Sequence, residues 1–137
     1  MGVQLRKDSI DLGIVITDSE RSLAFYRDVL GFEHVGDTPM PGAFSGVMHR
    51  LLCGTTMIKL VKLDTDPPTA APPGGIGGAT GLRYFTMQVS NLSEVTGACR
   101  DAGTPVLVDS AEIRPGIVIS MVADPDGNWV EFVDDRS

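Results

Sequence analysis

Asp124-Pro125-Asp126-Gly127-Asn128-Trp129-Val130-Glu131-Phe132 reads as a tight turn feeding a β-strand. Pro fixes φ, Asp hydrogen-bonds its own backbone and Gly accepts positive φ, so the first four residues preset the turn. The β-branched and aromatic residues from Trp129 to Val133 favour an extended chain. Alternate residues share a face, which sets Trp129, Glu131 and Val133 on one side and Val130 and Phe132 on the other. Glu131 therefore stands in an otherwise apolar row, as a solvated edge or as a chemical group.

Upstream of this stretch the pattern is strand, helix, then three strands. Leu82 to Val89 reads as a strand, Asn91 to Glu94 as a helix cap, Val95 to Ala102 as a helix stopped by Gly103, and Pro105–Val108 and Gly116–Ala123 as strands. The first half of the chain has the same order. Ile10 to Ile16 is strand-like, and Thr17-Asp18-Ser19-Glu20 offers helix-start chemistry with Glu20 three residues after Thr17. Leu23, Tyr26 and Leu30 recur at helical spacing before Gly31. Phe32–Val35 reads as a short strand, Gly36–Gly42 as a loop, and Ser45–Leu52 and Thr56–Leu63 as a hairpin turning at Cys53-Gly54-Thr55. Between the halves, Asp64 to Gly81 is too rich in Pro and Gly for regular structure and reads as a linker or a mobile flap.

The halves can be aligned by residue. Arg27-Asp28 and Arg100-Asp101 close the two helices at an offset of 73, which also relates Asp18 to Asn91 and Asp11 to Tyr84. An offset of 72 lays Gly54–Val61 on Asp126–Val133 and pairs Lys59 with Glu131. The expected fold class is α+β: two pseudo-symmetric βαβββ modules, residues 10–63 and 82–134 joined by 64–81, forming a cupped mixed sheet within a single domain of residues 1–137. In each module the helix covers one face. Asp11, Lys59, Tyr84 and Glu131 fall on the other, accompanied by Met57, Val61, Thr86, Gln88 and Trp129, and by His49 if Met48 faces the helix. The expectation is that these line one cavity.

Composition narrows the function classes. Hydrophobic content of 42% and charged content of 21% are those of a globular domain. A net charge of −7 with scattered Lys and Arg disfavours nucleic acid. No apolar run is long enough for a membrane helix and the first residues lack a secretory core, so the expected location is the cytoplasm. Cys53 and Cys99 are distant from each other and read as buried thiols rather than a disulfide or zinc site.

Three stretches carry a family resemblance: Leu12-Gly13-Ile14-Val15-Ile16-Thr17-Asp18, Ser22-Leu23-Ala24-Phe25-Tyr26-Arg27-Asp28-Val29-Leu30-Gly31-Phe32-Glu33, and Asp124 to Phe132. The chain resembles the vicinal oxygen chelate superfamily of glyoxalases, bleomycin-resistance proteins and extradiol dioxygenases. The resemblance implies the glyoxalase-like fold, frequent homodimers and a small-molecule ligand. In metal-dependent members it implies a divalent ion held at the positions of Asp11, Lys59, Tyr84 and Glu131. Glu131 matches, and Asp11 can bind a hard cation. Tyr84 and Lys59 depart from the pattern.

The lysine is the serious departure. An ammonium has no lone pair to donate. At an effective dielectric of about 20, unit charges ~4 Å apart interact by roughly 4 kcal/mol, and a divalent ion doubles the repulsion. Between two carboxylates, however, a protonated lysine can replace the ion. The reading is therefore no cofactor and no metal; were a divalent ion bound, Asp11, Glu131 and Tyr84 would hold it with Lys59 turned to solvent. Three functions follow. One is isomerase or lyase chemistry through an enolate, with Lys59 and Tyr84 at the carbonyl and Asp11 or Glu131 moving the proton. The others are a non-catalytic binder of a hydrophobic compound, drawing on Trp129, Met57, Met87 and Met121, and a ligand-free salt-bridge cluster. His34 and His49 lack a ligand-like neighbour at close spacing and read as surface or packing residues. Arg50, Arg83 and Arg114 are read as ordinary arginines that an anionic substrate could meet. Gly74–Gly78 lacks the context of a phosphate loop.

Overall fold

Eight strands form, where β-branched and aromatic residues recur: β1 (Leu12–Ile16), β2 (Glu33–Met40), β3 (Gly46–Cys53), β4 (Thr56–Leu63), β5 (Tyr84–Gln88), β6 (Val106–Arg114), β7 (Ile117–Ala123) and β8 (Trp129–Asp135). The computed structural model describes residues 1–137 and divides into two compact units, Met1–Pro68 and Thr69–Ser137.

Each unit holds one four-stranded mixed sheet, ordered β1-β4-β3-β2 in the first and β5-β8-β7-β6 in the second. The two orders are equivalent under the internal repeat, and so are the registers. Parallel pairing sets Gly13 beside Lys59 in one sheet and Thr86 beside Glu131 in the other. Those are the residues that the offsets of 73 and 72 relate.

In the first unit, α1 (Ser19–Leu23) starts at Asp18, whose Oδ1 accepts from the Arg21 amide at 3.0 Å. The cap is thus one residue later than the Thr17 capping box expected. From Ala24 to Val29 the helix widens to a π-helix. Widening changes the phase of the buried stripe, so Ser22, Phe25 and Tyr26 are buried while Leu23 and Leu30 stay half-exposed. Tyr26 packs edge-on to Phe25 and stacks on Phe32, above Leu51, Ile58 and Leu60 on the sheet.

In the second unit, α2 (Leu92–Asp101) buries Leu92, Thr96 and Cys99. The Thr96 hydroxyl donates to the Leu92 carbonyl at 2.6 Å and meets Ser120 Oγ at 2.9 Å, so the polar pair buried between helix and β7 is satisfied. Burial also pushes the Cys99 thiol up to about 11, which fits the structural reading.

Two elements are longer than expected. The loop read at Gly36–Gly42 is largely strand, because β2 is an edge strand and an edge tolerates Pro39. Likewise β6 runs six residues past Val108, to Arg114. Its register slips between Val108 and Ala111, where Ser110 has φ 51° and donates its amide to Ser120 Oγ at 3.0 Å.

The turn at 124–128 is tightly held. Asp124, buried, accepts at Oδ1 from the amides of Asp126 (3.0 Å) and Asn128 (2.8 Å), and at Oδ2 from the Asn128 side chain (3.0 Å). No helix is long and apolar enough to cross a membrane.

Candidate functional site

In the first unit, the sheet face turned away from α1 is built around β4. Met57, Lys59 and Val61 share that face, as read from the sequence. Lys59 lies opposite Gly13 on one side and opposite Arg50 on the other, and Arg50 lies opposite Gly36. A single row across the sheet therefore reads Gly13, Lys59, Arg50, Gly36: two cations flanked by two glycines. Nothing occupies the space above Gly13, and a Cβ on Gly36 would come within 2.6 Å of Arg50 Nη2, so the guanidinium lies over that glycine. Both cations are half-buried and neither takes part in an ion pair. Arg50 Nε is buried with no hydrogen-bond partner. Like charges directly opposite each other destabilise a sheet, and an unpaired buried donor costs more. Met48 lies opposite Val61 and completes an apolar flank.

Asp11 lies one residue ahead of β1. Its Oδ1 accepts from Lys7 Nζ at 2.6 Å and from the Met57 amide at 2.9 Å, while Lys7 also donates to the Thr55 carbonyl at 2.8 Å. The Lys7 hydrogen bond, followed by the Met57 amide, holds the Asp11 carboxyl below the usual carboxylate range; Lys59 adds only a weaker attraction through space. The direct partner of Asp11 is thus Lys7, not Lys59. Because the folded value is depressed, the stability from this group is present above the ordinary value of 3.8 and is lost as pH falls through the folded value. Urea midpoints measured from pH 7 down to acid should therefore fall less steeply in Asp11→Asn than in the wild-type chain.

In the second unit, the corresponding face carries Tyr84, Thr86 and Gln88 on β5, all exposed, beside Trp129, Glu131 and Val133 on β8. Thr86 donates its hydroxyl to Glu131 Oε1 at 2.7 Å, and Met121 is the β7 neighbour of Glu131. Met87 takes the opposite face, as expected.

The Pro/Gly segment is pinned in the structure. Arg83 donates to the carbonyls of Gly75 (2.6 Å) and Pro72 (2.6 Å), and Gly75 lies on the ring of Trp129, where a Cβ would come within 2.1 Å of Cε2. Gly75 also has φ 55°, which L side chains rarely adopt. Trp129 is the only tryptophan, so its emission reports this contact. Gly75→Val should expose the indole and shift native emission to the red; an unchanged spectrum would contradict the packing.

The placement of His49 corrects the sequence reading. Met48 shares the Lys59 face, so His49 takes the helix-covered one, opposite Leu60, and its Nε2 lies 2.8 Å from Ser19 Oγ at the start of α1. It does not line the face that bears Lys59. Instead it forms a cluster that the sequence did not show. Asp37 Oδ1 lies 2.8 Å from His49 Nδ1 and 2.6 Å from His34 Nε2. In a regular strand, residues 34 and 37 point to opposite faces. The register of β2 slips between His34 and Gly36, so His34 pairs with Leu51, Asp37 pairs with His49, and all four share one face.

Lys59 has no lone pair for a divalent ion, Asp11 Oδ1 already serves an ammonium and an amide, and a neutral phenol at Tyr84 is a poor ligand.

A model of the Glyoxalase/Bleomycin resistance protein/Dioxygenase superfamily matches residues 10–132. Among solved structures, a glyoxalase family protein from Bacillus cereus is 13% identical with a TM-score of 0.83, covering 98% of this chain and 97% of its own. A glyoxalase family protein from Enterococcus faecalis is 22% identical with a TM-score of 0.70, covering 93% and 98%. The trypanothione-dependent glyoxalase I of Leishmania major is 19% identical with a TM-score of 0.64, covering 91% and 84%. At these identities the likeness is one of fold. No curated protein matches the chain significantly.

Proposed function

Because this chain belongs to the Glyoxalase/Bleomycin resistance protein/Dioxygenase superfamily, we propose that it is a metal-independent small-molecule enzyme acting on an anionic carbonyl compound through an enolate. The observation that carries the reading is the row Gly13, Lys59, Arg50, Gly36, with two half-buried cations that have no anionic partner of their own. An anionic substrate supplies that partner. Arg50 presents a planar fork suited to a carboxylate, and Lys59 presents a compact charge for the carbonyl oxygen. As a proton leaves the carbon next to that carbonyl, negative charge grows on the oxygen, and a fixed ammonium stabilises it more in the transition state than in the substrate. Gly13 leaves open space on one side of the pair, and Gly36 leaves room for the Arg50 guanidinium on the other.

The proton acceptor in this reading is a carboxylate. Asp11 is stabilised as an anion by Lys7 and the Met57 amide, which makes it a weak base. It lies two residues before Gly13, feels the charge of Lys59 through space, and takes the proton. Met57 and Val61, which share the face of Lys59, contact the apolar part of the substrate. The protein acts in the cytoplasm as a homodimer, the assembly common in this superfamily, and size-exclusion mass measurement checks the latter.

The test is hydrogen exchange. Incubated in D2O with small 2-oxo acids, the protein should accelerate exchange at the carbon next to the carbonyl, read by proton NMR, and should do so equally in chelator. Asp11→Asn should slow exchange while leaving saturable binding in place. Saturable binding without exchange would favour a non-catalytic binder, for which Met48, Met57 and Val61 supply apolar surface. Exchange abolished by chelator and restored by a divalent ion would reject the metal-free reading.

A further inference from the structure

We propose that His34, Asp37 and His49 form a binding site for a divalent transition-metal ion of the zinc class, at the edge of the first sheet and on the face opposite Lys59. Their ligand atoms, one from each residue, all lie within 4.8 Å of one another. Two imidazoles and one carboxylate suit zinc, cobalt or ferrous ions rather than magnesium or calcium, which prefer all-oxygen sets. Bond lengths near 2.0–2.2 Å bring tetrahedral ligand atoms to about 3.4 Å apart, so the cluster needs only side-chain adjustment to close on an ion.

Three features mark a built site. First, the register slip in β2 turns His34 and Asp37 to the same face, an arrangement a regular strand forbids. Second, His49 is buried and its far nitrogen is anchored on Ser19 Oγ, which is how metal-bound imidazoles are usually oriented by a second group. Third, β2 is an edge strand, and the side chains of His34 and Asp37 are 21% and 49% exposed, so an ion can enter and keep positions for water or another ligand.

Proton bookkeeping is simple. With each imidazole neutral and protonated at the nitrogen facing Asp37, Nδ1–H of His49 and Nε2–H of His34 both donate to Asp37 Oδ1. When the ion binds, those nitrogens and that oxygen become ligands. The His49 proton moves to Nε2, where Ser19 Oγ accepts it, and the His34 proton moves to Nδ1. No oxidant or other reactant is needed.

The experiment uses the full chain freed of metal by chelator and dialysis, titrated with Co2+ and followed by its visible absorption, with Zn2+ as competitor. One ion per chain is expected, with a rise in Tm on adding Zn2+. His34→Ala and Asp37→Asn, both at accessible positions, should each weaken binding more than 100-fold while remaining folded by circular dichroism. Ser19→Ala should weaken it by about 10–100-fold, as removal of an orienting group does. Lys59→Met should leave it unchanged. Wild-type affinity in both His34→Ala and Asp37→Asn, or no saturable absorption change in the wild-type chain, would overturn the proposal. So would a shift of the Co2+ signal on Lys59→Met alone.

Discussion

Lys59→Met is expected to slow enolate formation by about 10²–10³-fold, the loss typical when one preorganised donor to a developing oxyanion is removed. Methionine keeps most of the volume and the apolar stem, so the sheet should remain intact while the charge is lost. The register supports a large effect. Lys59 occupies the middle of its row, with the open space above Gly13 on one side and the unpaired Arg50 on the other. The loss should appear in kcat and kcat/KM together, since the charge matters most once the oxygen has become anionic. Arg50→Lys should behave differently, raising KM with a smaller change in kcat, because it keeps a charge and loses the two-pronged grip. Hydrogen exchange rates across a substrate series read both outcomes. Equal exchange by Lys59→Met and wild type would remove the role assigned to the ammonium.

Phe132→Ala is expected to destabilise the fold by about 3–5 kcal/mol, a large part of the 5–15 kcal/mol that typical domains possess. Phe132 is 1% exposed and faces α2, between Met87 on β5 and Ser120 on β7. Truncation removes the ring and leaves a cavity that the Thr96–Ser120 hydrogen bond does not allow to collapse freely. Val133→Ala is the control. Val133 is the next residue along β8 but faces the other way and is half-exposed, so its truncation should cost far less. A slip of β8 by one residue would exchange the two roles. Comparing the urea midpoints of these variants therefore tests the register that places Glu131.

That register was legible in the sequence because it depends on two short-range signals. Residue alternation sets the faces of each strand, and the repeat offsets set which strands correspond. Both survive into the structure, where Gly13 pairs with Lys59 as Thr86 pairs with Glu131. Edge strands were less legible. Pro39 and Gly36 are breakers by composition, yet β2 runs through both, because an edge strand needs hydrogen bonds on one side only.

The candidate sites show the same division. The face of Lys59 follows from alternation, but its neighbour Arg50 follows from pairing between β3 and β4, and its significance emerges only when Nε is found buried and unpartnered. Lys7 was missed as the partner of Asp11, since nothing in Gln4-Leu5-Arg6-Lys7 marks a contact with Asp11. The cluster of His34, Asp37 and His49 was hidden for a definite reason. A three-residue spacing on a strand predicts opposite faces, and the slip in β2 reverses that prediction. His34 and Asp37 on a Gly-containing edge strand, with His49 on the strand that follows it, are the signal that could have raised the question.

In the proposed reaction a pair of side-chain cations, rather than a metal ion, receives the anionic oxygens of the ligand. The most direct measurement is a titration of isotopically labelled, chelator-treated protein with oxalate, a planar dianion shaped like an enediolate, followed by amide NMR shifts. The predicted result is saturable movement of the amides of Gly13, Gly36, Arg50 and Lys59, unaffected by excess chelator. In Lys59→Met the affinity should weaken at least about tenfold, as loss of a charged hydrogen bond worth about 1.5–3 kcal/mol requires. Shifts that appear only after a divalent ion is added, or that are the same size and affinity in Lys59→Met, would show that the two cations do not hold the ligand.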